Sequence, residues 1–287
     1  MRAALFPGQG VRTSEVVAAL EASPDHVERA SEVLGYDVLK KARTAARGKS
    51  KVLPTAVAQP AIFVAEVAAI EEADDPFDIV AGHSLGEYAA LVAAGSLTFI
   101  DGLQLVSARG EAMGRVSRNT SGGMAALIGL GIDDVGGLCK EAGVVVANDN
   151  APDQVVVSGS DDGLARIAQL AHEAGARAVL LGVEGPFHTD AVAGASLKLA
   201  AALRDVDIKP PGMPAMSNVT ARPYEDPAEI RDLLIAQVHS PVRWRESIEW
   251  MWGAGVRDFV DLGPGRILAS LVQRTTRQLA ELSGARA

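Results

Sequence analysis

The stretch FDIVAGHSLGEYAALVAAG, residues 77–95, decides the reading of the fold. FDIVA is a short apolar run that stops at Gly82, as a buried strand does, and LGEYAALVAAG is Ala-rich with the spacing of a helix. Between them Gly82-His83-Ser84-Leu85-Gly86 fits G-x-S-x-G, the nucleophile elbow, which requires a strand running in and a helix running out. The two glycines permit the sharp turn and keep neighbouring chain off the serine. Ser84 is thereby expected at a helix N-terminus, where free N–H groups and the helix dipole favour a developing negative charge.

Working outward, Ala3 to Phe6, Asp78 to Ala81 and Phe259 to Leu262 read as buried strands, each apolar and each ending at Gly or Pro. Helical segments such as Ala56 to Glu72 and Leu85 to Ala94 lie between them. Strands alternating with helices predict a parallel sheet covered on both faces. Ligands of such sheets bind beyond the carboxyl ends of the strands. The turns PGQG, GHSLG and GPG all follow strands directly, which points to one shared site.

The middle of the chain has a different rhythm. Strands are expected at Met124 to Leu130, Val144 to Ala147, Gln154 to Ser158 and Ala176 to Val183, with helices at Asp133 to Ala142 and Asp161 to Ala174. The order β-α-β-β-α-β is the ferredoxin-like pattern. NDNAPD, between the two middle strands, carries the residue types of a hairpin turn. The fold expected is therefore α/β: a large α/β-hydrolase-like domain with a parallel sheet, formed by residues 1–121 and 188–287, plus a small inserted ferredoxin-like subdomain, residues 122–187.

Composition bounds the function. Of 287 residues, 48% are hydrophobic and 22% charged, the balance of an ordinary globular chain, and the formal charge of −9 argues against nucleic acid as a partner. Cys139 is the single cysteine, so no internal disulfide and no cysteine-based metal site can form; it reads as a small buried hydrophobe. No metal signature appears. MRAALFPGQG reaches Pro and Gly too soon for a signal peptide or a membrane span, so no membrane partner and a cytoplasmic location are the default expectations.

A serine nucleophile needs a base, and there are five histidines. His83 adjoins Ser84 on a turn that sends neighbouring side chains apart. His26 and His172 lie in charged helical segments, and His239 precedes Ser240-Pro241 in a loop. His188, in GPFHTD just past a strand, can be presented to Ser84, with a structural histidine as the rival reading. The carboxylates that could complete a triad are Asp149, Asp153, Asp161, Glu184 and Asp190, and the pattern selects none of them. Arg109, on a charged helical segment, reads by itself as a surface residue.

Ten segments in order then carry a resemblance: FPGQG (Phe6 to Gly10), QPAIF (Gln59 to Phe63), GHSLGEYAAL (Gly82 to Leu91), RGEAM (Arg109 to Met113), GMAALIGL (Gly123 to Leu130), NAPDQVVVSG (Asn150 to Gly159), PFHT (Pro186 to Thr189), SNVTA (Ser217 to Ala221), QVHSPVRW (Gln237 to Trp244) and LGPG (Leu262 to Gly265). Across nearly the whole chain the sequence resembles the malonyl-CoA:acyl-carrier-protein transacylases of fatty-acid and polyketide synthesis.

The resemblance implies roles residue by residue. Ser84 would be acylated and His188 would be its base, held by the main-chain carbonyl of Gln237 in place of an aspartate. The backbone N–H groups of Gln9 and Leu85 would form the oxyanion hole. Arg109 would hold the free carboxylate of malonate, which a planar fork of donors matches bidentately and a lysine cannot. Phe187 and Met113 would line the acyl pocket, the Phe187 ring resembling the version found with the unbranched malonyl group. Malonyl-CoA and an acyl-carrier protein would be the partners. No cofactor would be bound, since the CoA thioester and phosphopantetheine are substrates. A trans-acting acyltransferase of a polyketide synthase and a serine esterase are the alternative readings.

Overall fold

The computed structural model describes residues 1–48 and 51–284. Residues 49, 50 and 285–287, which the expected domain ranges include, lie outside the described residues. The chain forms strands β1 (Arg2–Phe6), β2 (Ile79–Gly82), β3 (Gly123–Ile128), β4 (Val145–Ala151), β5 (Gln154–Gly159), β6 (Arg177–Leu180), β7 (Ala215–Met216) and β8 (Asp258–Asp261). Four of them make a wholly parallel sheet in the order β7-β2-β1-β8, and four make an antiparallel sheet in the order β4-β5-β3-β6. The second order, with its two intervening helices, is the ferredoxin-like arrangement expected from the pattern.

β1 and β2 are almost wholly buried, which is why both read as unbroken apolar runs rather than alternating ones. In register, Phe6 of β1 lies beside Gly82 of β2, and Leu5 beside Asp261 of β8, so three strands end side by side and their glycine turns meet there. Helix Thr55–Glu71 is buried along most of its length and packs along helix Phe99–Ser117. That approach depends on glycine: a Cβ on Gly102 would stand 2.6 Å from the Phe63 ring.

The antiparallel sheet turns one face onto helices Ile132–Ala142 and Asp161–Glu173, where Leu127, Val135, Cys139, Val155 and Ile167 form a core of their own. Its other face, with Met124, Ala126 and Val156, joins the main core. Cys139 is buried among aliphatic neighbours, as its composition context suggests.

Two local readings are corrected. NDNAPD is not a six-residue turn: Asn148, Asp149, Asn150 and Ala151 belong to β4, and only Pro152 and Asp153 turn. β4 reaches that length through register shifts between Val146 and Asn148 and between Asp149 and Ala151, bulges that re-aim polar side chains in mid-strand. The last strand of this sheet stops at Leu180, not Val183. The antiparallel sheet is tied to the segment before helix Trp244–Gly253 where Val242 pairs with Asn148: Val242 N–H donates to the Ala147 carbonyl at 2.8 Å, and Asp149 N–H to the Val242 carbonyl at 2.9 Å. Beside this bridge Arg245 meets the buried Asp149 carboxylate at 2.9 Å.

Candidate active site

Ser84 has the left-handed backbone of a strained elbow, φ 53°. Its glycines are obligatory. A Cβ on Gly82 would lie 1.9 Å from the Gly86 carbonyl carbon, and one on Gly86 would lie 2.2 Å from the Phe6 carbonyl oxygen. Helix Gly86–Ala93 follows at once, with Leu85 as its N-cap residue.

His188 reaches this serine from the loop after β6. Its Nε2 lies 2.9 Å from Ser84 Oγ, while its Nδ1 lies 3.0 Å from the carbonyl oxygens of both Gln237 and Ser240. Carbonyls only accept, so Nδ1 carries the ring proton and Nε2 presents a lone pair to the serine hydroxyl. Burial, and after it the charge of Arg109, push the imidazole down to about 3, against the two carbonyls, which favour the protonated ring. The ring is thereby favoured in its neutral form at ordinary pH.

The five carboxylates that could have formed a triad are occupied elsewhere. Asp149 pairs with Arg245 and Asp153 with Arg274. Glu184 accepts from Thr55 N–H at 2.6 Å, capping a helix, and Asp161 and Asp190 open helical turns. The orienting group is main-chain oxygen. Of the other histidines, His83 turns away to Asn150 Oδ1 at 2.8 Å, His26 meets Glu71, and His172 is exposed.

Arg109 is 1% exposed, which overturns its reading as a surface residue. Its helix buries Gly102, Val106, Arg109 and Met113, a stripe at helical spacing, and Arg109 falls on that stripe. Nη2 donates to Ser84 Oγ at 3.0 Å and to Gln237 Oε1 at 2.9 Å, while Nε is buried without a partner. Among the described residues no carboxylate pairs directly with this guanidinium. Burial lowers its pKa, opposed by Tyr88 and Glu87.

A cavity of about 240 Å³ opens onto these groups. Ser84, His188, Arg109, Met113 and Phe187 line it, together with Met124, Asn148, Asn150 and Val156 of the antiparallel sheet. Gln9 also lines it, its side chain fixed to Thr55 Oγ1 at 3.0 Å. Among the described residues neither the Gln9 nor the Leu85 backbone N–H has an acceptor. No group of three or more His, Cys, Asp or Glu among the described residues could hold a metal ion.

Four residues that sequence reasoning left without a role hold the elbow. Asn218 Oδ1 accepts from Ser84 N–H and its Nδ2 donates to the Gly82 carbonyl, both at 2.6 Å. Glu87, 1% exposed, accepts from Asn218 N–H at 2.9 Å, from Tyr224 O–H at 2.5 Å and from Gln237 Nε2. Ser240 shares the His188 proton. Glu87 and Asn218 stand inside GHSLGEYAAL and SNVTA, and the available signal was an acid in an otherwise apolar helix. Burial raises the Glu87 carboxyl to about 7, opposed by its hydrogen-bond donors and by Arg109.

Comparison with known proteins gives concordant matches. The acyl transferase domain family matches residues 4–287. The chain is 38% identical to a malonyl CoA-acyl carrier protein transacylase of Bacillus subtilis, over 97% of this chain and 92% of that one. It is 39% identical to the polyketide biosynthesis protein ThaF of Burkholderia thailandensis over its whole length, but spans only 25% of that larger protein. The solved structure of an acyl-carrier-protein S-malonyltransferase from Burkholderia pseudomallei superposes with a TM-score of 0.87 at 38% identity, covering 96% of this chain and 93% of that one.

Proposed function

The chain belongs to the acyl transferase domain family, and from that premise we propose that it carries malonyl from coenzyme A to the phosphopantetheine thiol of an acyl carrier protein through an ester on Ser84. The observation that carries this reading is Arg109. A buried guanidinium without a carboxylate partner, 3.0 Å from the nucleophilic oxygen, leaves donors for a substrate that brings its own carboxylate.

In the first half-reaction Ser84 Oγ attacks the thioester carbonyl while its proton passes to His188 Nε2. The carbonyl oxygen takes up negative charge against the Gln9 and Leu85 amides. The C–S bond breaks, its electron pair leaves with the coenzyme A sulfur, and His188 returns the proton to that sulfur. In the second half-reaction the carrier thiol gives its proton to His188 and attacks the ester, and Ser84 leaves as the hydroxyl. Arg109 holds the malonyl carboxylate throughout, and Phe187 and Met113 bound the acyl group. The chemistry calls for no resident cofactor or metal, and its substrates go with a cytoplasmic location. Residues 1–121 with 188–287 would supply the catalytic groups, and residues 122–187 the cover over the acyl cavity.

The resemblance to ThaF supports a second reading, in which the carrier belongs to a polyketide assembly line. One experiment tests the common core: incubation with malonyl-CoA followed by intact-mass measurement should add one malonyl group to the protein and none to Ser84→Ala. A Ser84→Ala protein that still gains malonyl would sink the assignment. Supplying a fatty-acid carrier and a polyketide carrier in competition separates the two pathways.

A further inference from the structure

Gln237 sits among three neighbours whose hydrogen-bonding polarity is fixed. Its Nε2 faces the Ser84 carbonyl at 2.8 Å and a Glu87 carboxylate oxygen, both acceptors, and its Oε1 faces Arg109 Nη2 at 2.9 Å, a donor that cannot accept. Only one orientation of the amide satisfies all three. The other Glu87 oxygen is claimed by Tyr224 O–H and Asn218 N–H, so the carboxylate itself cannot turn away. Glu87 is not among the residues that line the cavity, and its carboxylate makes no bond to Ser84 Oγ; among the described residues it is nonetheless the acid placed to act on Arg109 through a single intervening side chain.

We infer that Glu87 is a positioning residue that gives the site its preference for a carboxylated acyl group, by locking the Gln237 amide and through it the Arg109 guanidinium. This rests on the acyltransferase reading above and adds to it the origin of substrate choice. Replacing Glu87 with glutamine keeps shape and volume but sets an NH2 group in the network. The Asn218 N–H can only donate and so requires oxygen on its side, which leaves that NH2 to meet Gln237 Nε2 donor to donor. Flipping Gln237 relieves that contact only by setting its NH2 against Arg109 and its oxygen against the Ser84 carbonyl. Either way the guanidinium loses its fixed aim, while Ser84 and His188 keep their direct bond.

The test compares kcat/KM for malonyl-CoA and acetyl-CoA, with one phosphopantetheinylated acyl carrier protein as acceptor. Glu87→Gln is expected to lower the malonyl-to-acetyl ratio at least tenfold. Equal losses for both substrates, or no loss, would overturn the inference and leave Glu87 a scaffold of the elbow. Should Glu87→Gln fail to fold, Gln237→Leu removes the relay and keeps the carbonyl that holds His188. It is expected to depress the same ratio, and an unchanged ratio overturns the inference equally. A wild-type protein that moves no malonyl would remove the underlying functional reading instead.

Discussion

Arg109 Nη2 and His188 Nε2 approach the same oxygen, Ser84 Oγ, at 3.0 and 2.9 Å. The guanidinium can only donate, so the serine proton has one direction left, toward the imidazole. The arrangement orients the hydroxyl in the absence of any ligand, and on the proposed function it would set the substrate carboxylate and the reacting hydroxyl within reach of one cation.

Arg109→Ala should therefore separate substrates by charge. Losing one member of a desolvated charge pair costs about 2–5 kcal/mol, so kcat/KM for malonyl-CoA should fall roughly 30- to several-thousand-fold, with acetyl-CoA affected far less. Arg109→Lys should recover little, because a point charge cannot present a fork. Steady-state assays with the two thioesters check this, and equal losses would remove the carboxylate role.

The buried imidazole makes the fold acid-labile. His188 is held far below its ordinary value in the native state, whereas the unfolded chain binds the proton near 6.5. Its contribution to stability is complete above that value and declines as pH falls toward 3. Between pH 7 and 5 the wild type should lose about 2 kcal/mol on this account, and His188→Asn should lose correspondingly less. Urea unfolding at the two pH values measures the difference.

Glu66 behaves in the opposite sense. It is wholly buried, neither carboxylate oxygen has a hydrogen-bond partner among the described residues, and burial followed by the Asp261 charge raises its pKa well above normal. A raised native pKa means the protonated acid is the folded form, so stability is full below about 4.5 and drains as pH rises. Glu66→Leu removes an unpartnered polar group whose burial costs about 1–3 kcal/mol. Its melting temperature should exceed that of the wild type at pH 8, with a smaller gain at pH 5.

Two glycine-to-alanine exchanges should have opposite effects. In Gly86→Ala the new methyl group would meet the Phe6 carbonyl, a contact between main chains of paired elements that cannot give way, and little folded protein should result. Gly136→Ala, inside helix Ile132–Ala142 with open space around its Cβ, should stabilise by about 0.5–1 kcal/mol. Soluble yield and thermal melting report both.

Much of this was legible in the sequence for physical reasons. Strands buried on both faces read as continuous apolar runs, and the elbow glycines are demanded by sub-2.5 Å approaches that no other residue survives. His188 was narrowed to a rival pair of readings, but its partner was not, because a main-chain carbonyl leaves no residue-type signature. Arg109, read by itself, misled, since its charge masked its place on a buried stripe. Asn148 to Asn150 misled for a kindred reason: bulges let a turn-like composition run in mid-strand. The support network of Glu87, Asn218 and Tyr224 joins segments more than 130 positions apart, which no local spacing could reveal.

The Val242 bridge has a bearing on protein engineering. The stretch from Gln237 to Val242 steadies the imidazole at one end and is stitched to β4 at the other. The Val242 bonds are main-chain and survive a change of side chain, so a chimaera that transplants the antiparallel sheet from a relative keeps that stitch whole only if it also keeps an acid at the place of Asp149 to meet Arg245. Recombination borders that lose this pair would then loosen the segment that moors the His188 ring without altering the ring itself.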